Sequence, residues 1–237
     1  MSITDLRQHA VVPHDQWLAA RTALLAKEKE LTRARDELNR ARRALPWERV
    51  DKAYIFDGPE GRETLADLFA GRSQLFVYHF MFGPELSEGC QHCSFWADHF
   101  DAAGLHLPHR DVSLVAVSRA PLPQIEPFKR RMGWRFKWVS SADSDFNYDF
   151  GASFTEDNLG RGTVVYNYAP TNLGARDREG ASVFYRDQAG VVFHTYSCYA
   201  RGIDALNGTY QILDLVAKGR DEDPDAPQSW VRYHDRY

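Results

Sequence analysis

The chain has 237 residues, of which 43% are hydrophobic, and a formal net charge of −4. That composition supports a packed core and excludes wholesale disorder. There is no basic excess for nucleic acid and no polybasic run for anionic lipid, so neither is expected as a partner.

The first stretch, Met1 to Pro13, holds Asp5, Arg7 and His9 and lacks an apolar signal core, which leads to an expectation of cytoplasmic location. Residues 14 to about 45 read as one long helix. Trp17, Leu24, Leu31, Leu38 and Leu45 recur every seven residues, and Ala20, Ala34 and Ala41 follow three positions on, interrupted by Lys27. This narrow apolar stripe on a charged helix suits packing on the chain's own body or a homodimer through the helix. Pro46 ends it.

From residue 51 the pattern changes to short apolar runs separated by turns. Ala53 to Phe56 is a strand candidate, and Asp57-Gly58-Pro59-Glu60-Gly61 is a turn. Thr64 and Asp67 form a loose capping signature for a short helix. Leu75 to Met81 is a buried strand. The longest apolar run, Leu75 to Phe82, contains His79 and falls well short of the roughly 20 residues of a membrane helix. After a loop, Cys90 to about Ala103 reads as a helix. Ser113 to Val117 is a strand, Pro123 to Met132 a helix, and Phe136 to Val139 a strand candidate. Residues 143 to 180 are irregular and longer than the usual loop, so they are either a functional insertion or carry small elements of their own. Val183 to Arg186 and Val191 to Tyr196 form a hairpin about Asp187-Gln188-Ala189-Gly190. Gly202 to Ala217 is a final helix, and the charged tail beyond is expected to lie extended and solvated. The domain reading is a helical arm over 1–50, an α/β domain over 51–218 and a tail over 219–237. Alternating strands and helices imply a mostly parallel sheet with helices on both faces.

The chemistry centres on Cys90 and Cys93. A buried strand feeds Gly89-Cys90-Gln91-His92-Cys93 at the start of a helix. Unpaired N–H groups and the helix dipole at that place favour an anion, and the thiolate is the attacking form of cysteine. Cys90 is the expected nucleophile. Cys93, on the same helix face, is close enough to resolve a mixed disulfide. His92 adds positive charge nearby, and Trp96 follows one turn on. Three cysteines in a chain of this length do not make a disulfide scaffold. A zinc site would need further ligands, which Cys198, His92 and His99 supply poorly. No dissociable cofactor is expected.

Residues 53 to 217 resemble the thioredoxin superfamily. The phrase from Asp57 to Phe69, Asp-Gly-x-x-Gly-Arg-x-Thr-Leu-x-Asp-Leu-Phe, is similar to its peroxiredoxin and cytochrome-maturation branch. The Cys-x-x-Cys-Ser-Phe-Trp-Ala-Asp run ending at Asp98 is more similar still to a bacterial domain-of-unknown-function family. So are Val183 to Asp187, His194 to Ser197, Ala200 to Gly202 and Leu206 to Tyr210. Members of that family are labelled predicted dithiol-disulfide oxidoreductases. The resemblance implies a thioredoxin-like three-layer α/β sandwich with a central mixed sheet, a long N-terminal helix and an insertion before the closing hairpin. It also implies thiol–disulfide exchange between a disulfide-containing protein or small-molecule substrate and an external thiol reductant. Two departures stand out. The place before the closing hairpin, where thioredoxins carry a cis-proline, is Gly180-Ala181-Ser182. The peroxiredoxin phrase Pro-x-x-x-Thr-x-x-Cys survives only as Ser87 three residues before Cys90, with Pro84 one residue too close. A Cys90-centred peroxide reductase, drawing on Ser87 and on Arg119 or Arg186, is the alternative enzyme. A non-enzymatic interaction module on the same scaffold is the alternative from another class.

Overall fold

A computed structural model describes residues 9–237. Two compact units are present: the chain up to Pro46 with Leu213–Asp221, and Trp47–Ile212 with Glu222–Tyr237. In the first, α1 (His14–Arg43) starts after Pro13 and ends with Arg40, Arg42 and Arg43 in its last turn, where positive charge meets the helix dipole favourably. Trp17, Leu24, Leu31 and Leu38 form an exposed stripe along it.

The second unit is built on one mixed sheet. Its strands are β1 (Glu48–Arg49), β2 (Ile55–Gly58), β3 (Gly61–Thr64), β4 (Gln74–His79), β5 (Val112–Ser118), β6 (Lys137–Ser140), β9 (Gly180–Arg186) and β10 (Val192–Tyr199). They lie in the order β1-β10-β9-β4-β5-β6-β2-β3. A small separate hairpin joins β7 (Val164–Tyr166) to β8 (Ala169–Thr171). β4 pairs parallel with β5 and antiparallel with β9, β5 pairs parallel with β6, and β9 pairs antiparallel with β10. The parallel pairs are joined through α2 (Gln91–Ala103) and α3 (Leu122–Arg131). A parallel pair with a helical crossover, flanked on the first strand by an antiparallel hairpin, is the thioredoxin-like arrangement.

β4 is buried on both faces, as a central strand must be. On one, Phe76 and Tyr78 meet Phe100 of α2, and Phe80, just beyond the strand, stacks on Trp138 and meets Phe128 of α3. On the other, Leu75 and Val77 join Phe56, Leu68, Phe69, Phe146 and Phe184 in one core. The alternation of side chains along a strand sorts these residues to the two layers.

The structure departs from the sequence expectations in three places. Thr64 ends a strand rather than starting a helix. Its N–H donates to Asp67 Oδ2 and the Asp67 N–H returns to Thr64 Oγ1, so the expected reciprocal cap closes a short 3-10 turn, Asp67–Phe69. The insertion, by contrast, carries small elements as one of its two readings expected: α4 (Phe146–Asp149), α5 (Glu156–Gly160) and the β7–β8 hairpin, with Phe154, Val164, Tyr166 and Tyr199 as a satellite core. The final helix is broken. A 3-10 stretch, Ala200–Leu206, gives way at buried Asn207, whose Oδ1 accepts from Tyr210 N–H and starts the shorter α6 (Gly208–Leu213). The tail is docked rather than solvated, with Val231 and Tyr233 buried. Arg131 makes two bonds to Asp235, at 2.7 and 2.9 Å, and His234 Nδ1 lies 2.7 Å from Asp98.

One buried ion pair fastens the insertion to the sheet. Arg119, just past β5, makes two bonds to Asp177, at 2.7 and 2.8 Å, and Ser153 donates to the same carboxylate at 2.6 Å. Arg119 is only 6% exposed, so an unmatched charge there would be costly. Asp177→Ala is expected to lower unfolding stability by about 3 kcal/mol or more, read as a shift in the denaturant midpoint.

Candidate active site

Cys90 is the N-cap of α2, with extended backbone angles. Its N–H donates to Met81 O at 3.0 Å, and its carbonyl accepts from the Ser94 N–H and hydroxyl, both at 3.0 Å. The turn before it requires glycine. A Cβ on Gly89 would stand 2.7 Å from ring carbons of both Phe128 and Phe80, and the Gly89 carbonyl accepts from Tyr233 OH at 2.6 Å. Cys93 is buried one turn along, and Tyr78 OH donates to its carbonyl at 3.3 Å. Trp96 Nε1 donates to Ile203 O at 2.9 Å and ties α2 to the chain after β10.

The two thiols stand in unlike settings. Cys90 is partly exposed, and its pKa is pushed down to about 4. The hydrogen bond from the Cys93 thiol is the largest cause; burial opposes it, and a further hydrogen bond from His92 helps. Burial pushes the Cys93 thiol up, and the neighbouring Cys90 charge pushes it further. His92 is shifted the other way by the same contact, so its imidazolium is favoured beside the Cys90 thiolate. One partner is thus poised to attack and the other to hold its proton.

The thiols line a pocket of about 140 Å³. Tyr78, Met81, His92 and Trp96 line it with them, as do Arg178 and Glu179, immediately before β9, and Gln228 of the C-terminal segment. Burial raises the Glu179 pKa, and Tyr166 OH lies 3.5 Å from Glu179 Oε1.

Of the residues singled out in the sequence, the structure brings Cys90, Cys93, His92 and Trp96 together. Ser87 is exposed in the loop before the pocket and is not part of its lining. Arg119 is engaged by Asp177, and Arg186 lies over the Phe69 ring and donates to Ala66 O. Cys198, on β10, pairs across to Ala181 of β9 and lies outside the pocket. Sequence reading missed Arg178, Glu179 and Gln228. The first two had one available signal: the residues before the closing hairpin face the cysteines in this topology, and that place had already drawn notice for its missing proline. Gln228 had none.

A second cleft, of about 560 Å³, opens beside β10 and the insertion. His194 lines it, and a chain of hydrogen bonds runs inward from His194 Nε2 through Ser197 and Ser182 to His79 Nε2, with steps of 2.7, 2.8 and 2.8 Å. His79 is fully buried, and its desolvation lowers its pKa to about 4 and keeps it neutral. These groups satisfy one another and serve the sheet's interior.

No curated protein sequence matches the chain. Among solved structures, peroxidoxin BcpB from Mycobacterium tuberculosis is similar at 14% identity and a TM-score of 0.45, covering 70% of this chain and 96% of that one. Xanthomonas campestris peroxiredoxin Q is similar at 15% identity and a TM-score of 0.45, covering 68% and 89%. A putative thiol:disulfide interchange protein DsbE from Chlorobium tepidum is similar at 13% and 0.40, covering 71% and 95%. At these values the likeness carries no functional argument. A family model described as "Bacterial protein of unknown function (DUF899)" matches residues 6–237, and the chain belongs to that family.

Proposed function

We propose that this protein is a thiol–disulfide oxidoreductase. The observation that carries the reading is the pairing of a partly exposed, hydrogen-bonded Cys90 at a helix N-cap with a buried Cys93 one turn on. Cys90 thiolate attacks a substrate disulfide, forms a mixed disulfide and expels one substrate thiolate. Cys93 then loses its proton and attacks the Cys90 sulfur, which releases the second thiolate and leaves a Cys90–Cys93 disulfide. Two electrons pass to the substrate, and an external thiol reductant returns them. Glu179 is the carboxylate of the pocket and serves as acceptor of the Cys93 proton.

Ser87 and Arg119 stand outside the pocket, which withholds from Cys90 the hydroxyl and the arginine that peroxide reduction would draw from them. Cytoplasmic location belongs to the same proposal; among the described residues no helix is long and apolar enough to cross a membrane.

The depressed Cys90 pKa has a direction in redox terms. Stabilising the thiolate stabilises the reduced pair, and so makes it the more oxidising. The Cys90–Cys93 potential is expected on the oxidising side of the range from about −270 to about −120 mV, measured by thiol counting in glutathione buffers with Cys198→Ser. No disulfide in any buffer would sink the reading.

Three further outcomes follow from the site. Alkylation of Cys90 by iodoacetamide should stay fast as pH falls from 8 and drop only near pH 4, about the pKa of its thiol; His92→Gln should move that drop upward. In the reduced protein the same shift contributes stability above the ordinary thiol pKa of about 8.5 that is lost as pH falls through the folded value. Cys93→Ser should accumulate a mixed disulfide at Cys90, visible by mass spectrometry, whereas Cys90→Ser should form none. Glu179→Gln should slow release of that mixed disulfide about tenfold or more while leaving its formation nearly unchanged, the scale of general acid–base effects being about 10² or above. Equal slowing of both steps would remove Glu179 from proton transfer.

A further inference from the structure

Three features narrow what can reach Cys90. The C-terminal segment lies beside it as a strap. Tyr233 OH bonds the Gly89 carbonyl, Arg131 and Arg236 lie over the Tyr233 ring at 4.9 and 5.0 Å, and the Arg131–Asp235 and His234–Asp98 pairs hold the residues next to it. The same segment brings Gln228 to the pocket. The residue before β9 is Glu179, which lines the pocket as well. The remaining space, about 140 Å³, suits one limb of a small molecule.

The charge in that space is the third feature. Arg119, Arg131, Arg135 and Arg176 each hold a carboxylate. Arg178 forms no ion pair and no side-chain hydrogen bond with any described residue, although it is only half exposed and lines the thiol pocket. Its backbone is fixed: its N–H donates to Ala152 O at 2.8 Å beside the Ser153–Asp177 bridge. Its charge is felt by Glu179 and Tyr166, but its planar fork holds no carboxylate among the described residues, and a partly desolvated guanidinium of that kind suits one.

On the reading of Cys90 and Cys93 as an exchanging dithiol, we infer that the substrate is a low-molecular-weight disulfide carrying a carboxylate that Arg178 holds, rather than a disulfide of a folded protein. One limb, R–S, becomes bonded to Cys90 as the other leaves as a thiolate. Cys93 then breaks that bond and frees R–S⁻, so two small thiols leave and one protein disulfide remains. A second thiol reductant returns the two electrons. Arg178 acts on the bound limb and Glu179, one residue on, on the Cys93 proton.

The test is the second-order rate at which the reduced full-length Cys198→Ser protein is oxidised, followed by thiol loss. The oxidants are dithiodiglycolate (anionic), 2-hydroxyethyl disulfide (neutral), cystamine (cationic) and insulin. Each rate is divided by that of the same disulfide with 2-mercaptoethanol, which removes intrinsic reactivity. The expected result is a preference of at least tenfold for the anionic over the neutral probe, with insulin slower than either. Arg178→Ala should abolish the preference, Arg178→Lys should keep most of it, and Arg178→Glu should turn it toward cystamine. An anionic preference that is absent, or unchanged in Arg178→Ala, or an insulin rate above that of the neutral probe, would overturn the inference and leave the exchange reading standing. Failure of every probe to oxidise Cys90 would overturn both.

Discussion

The site depends first on the ion pair between Arg119 and Asp177. Arg119 stands just past β5, which runs parallel to β4, and Asp177 lies 58 residues further on, shortly before β9. Two charges are taken out of water to form it, which costs several kcal/mol per ion by itself. The cost is met by two guanidinium bonds and by the Ser153 hydroxyl on the same carboxylate. A pair of this kind adds little net stability over an apolar contact, but it admits only one geometry. That geometry is what the neighbouring residues inherit: with Asp177 held, Arg178 and Glu179 stand at the thiol pocket and lead into the closing hairpin.

The cysteine pair draws its asymmetry from burial and from sequence spacing together. Three residues along a helix put the two sulfurs on one face. The cap position leaves Cys90 at the open end, beside unpaired helical N–H groups, while one turn inward Cys93 meets Tyr78 and the sheet. Each thiol then acts on the other: Cys93 donates to the Cys90 thiolate, and the resulting charge discourages Cys93 from ionising. His92 strengthens the bias from outside. The two titrations belong to the pair rather than to either residue alone.

Much of this was legible in the residues, and the limits are physical. The seven-residue spacing from Trp17 to Leu45 and the proline at 46 mark α1 to within about two residues of its end. The run from Leu75, followed by Cys-x-x-Cys, shows both the central strand and the helix start because each is a local pattern. β3 escaped notice because an exposed strand such as Gly61–Thr64 has no apolar alternation to reveal it. The last helix was drawn too long because Asn207 reads as a mid-helix polar residue unless its capping bond to Tyr210 is seen. Arg119 drew attention as a cation near the site, but its partner lies in the insertion, and no pattern links them. Gln228 reaches the pocket only through such distant contacts, and Arg178 and Glu179 are marked in the sequence only by their place before the closing hairpin.

The bond from Tyr233 to Gly89 joins residues 144 positions apart. A ribosome delivers them in order, so the cysteine helix emerges long before the strap that lies beside it. A chain still in synthesis therefore carries Cys90 before Gln228 can reach its pocket and before Tyr233 can fasten the turn at Gly89.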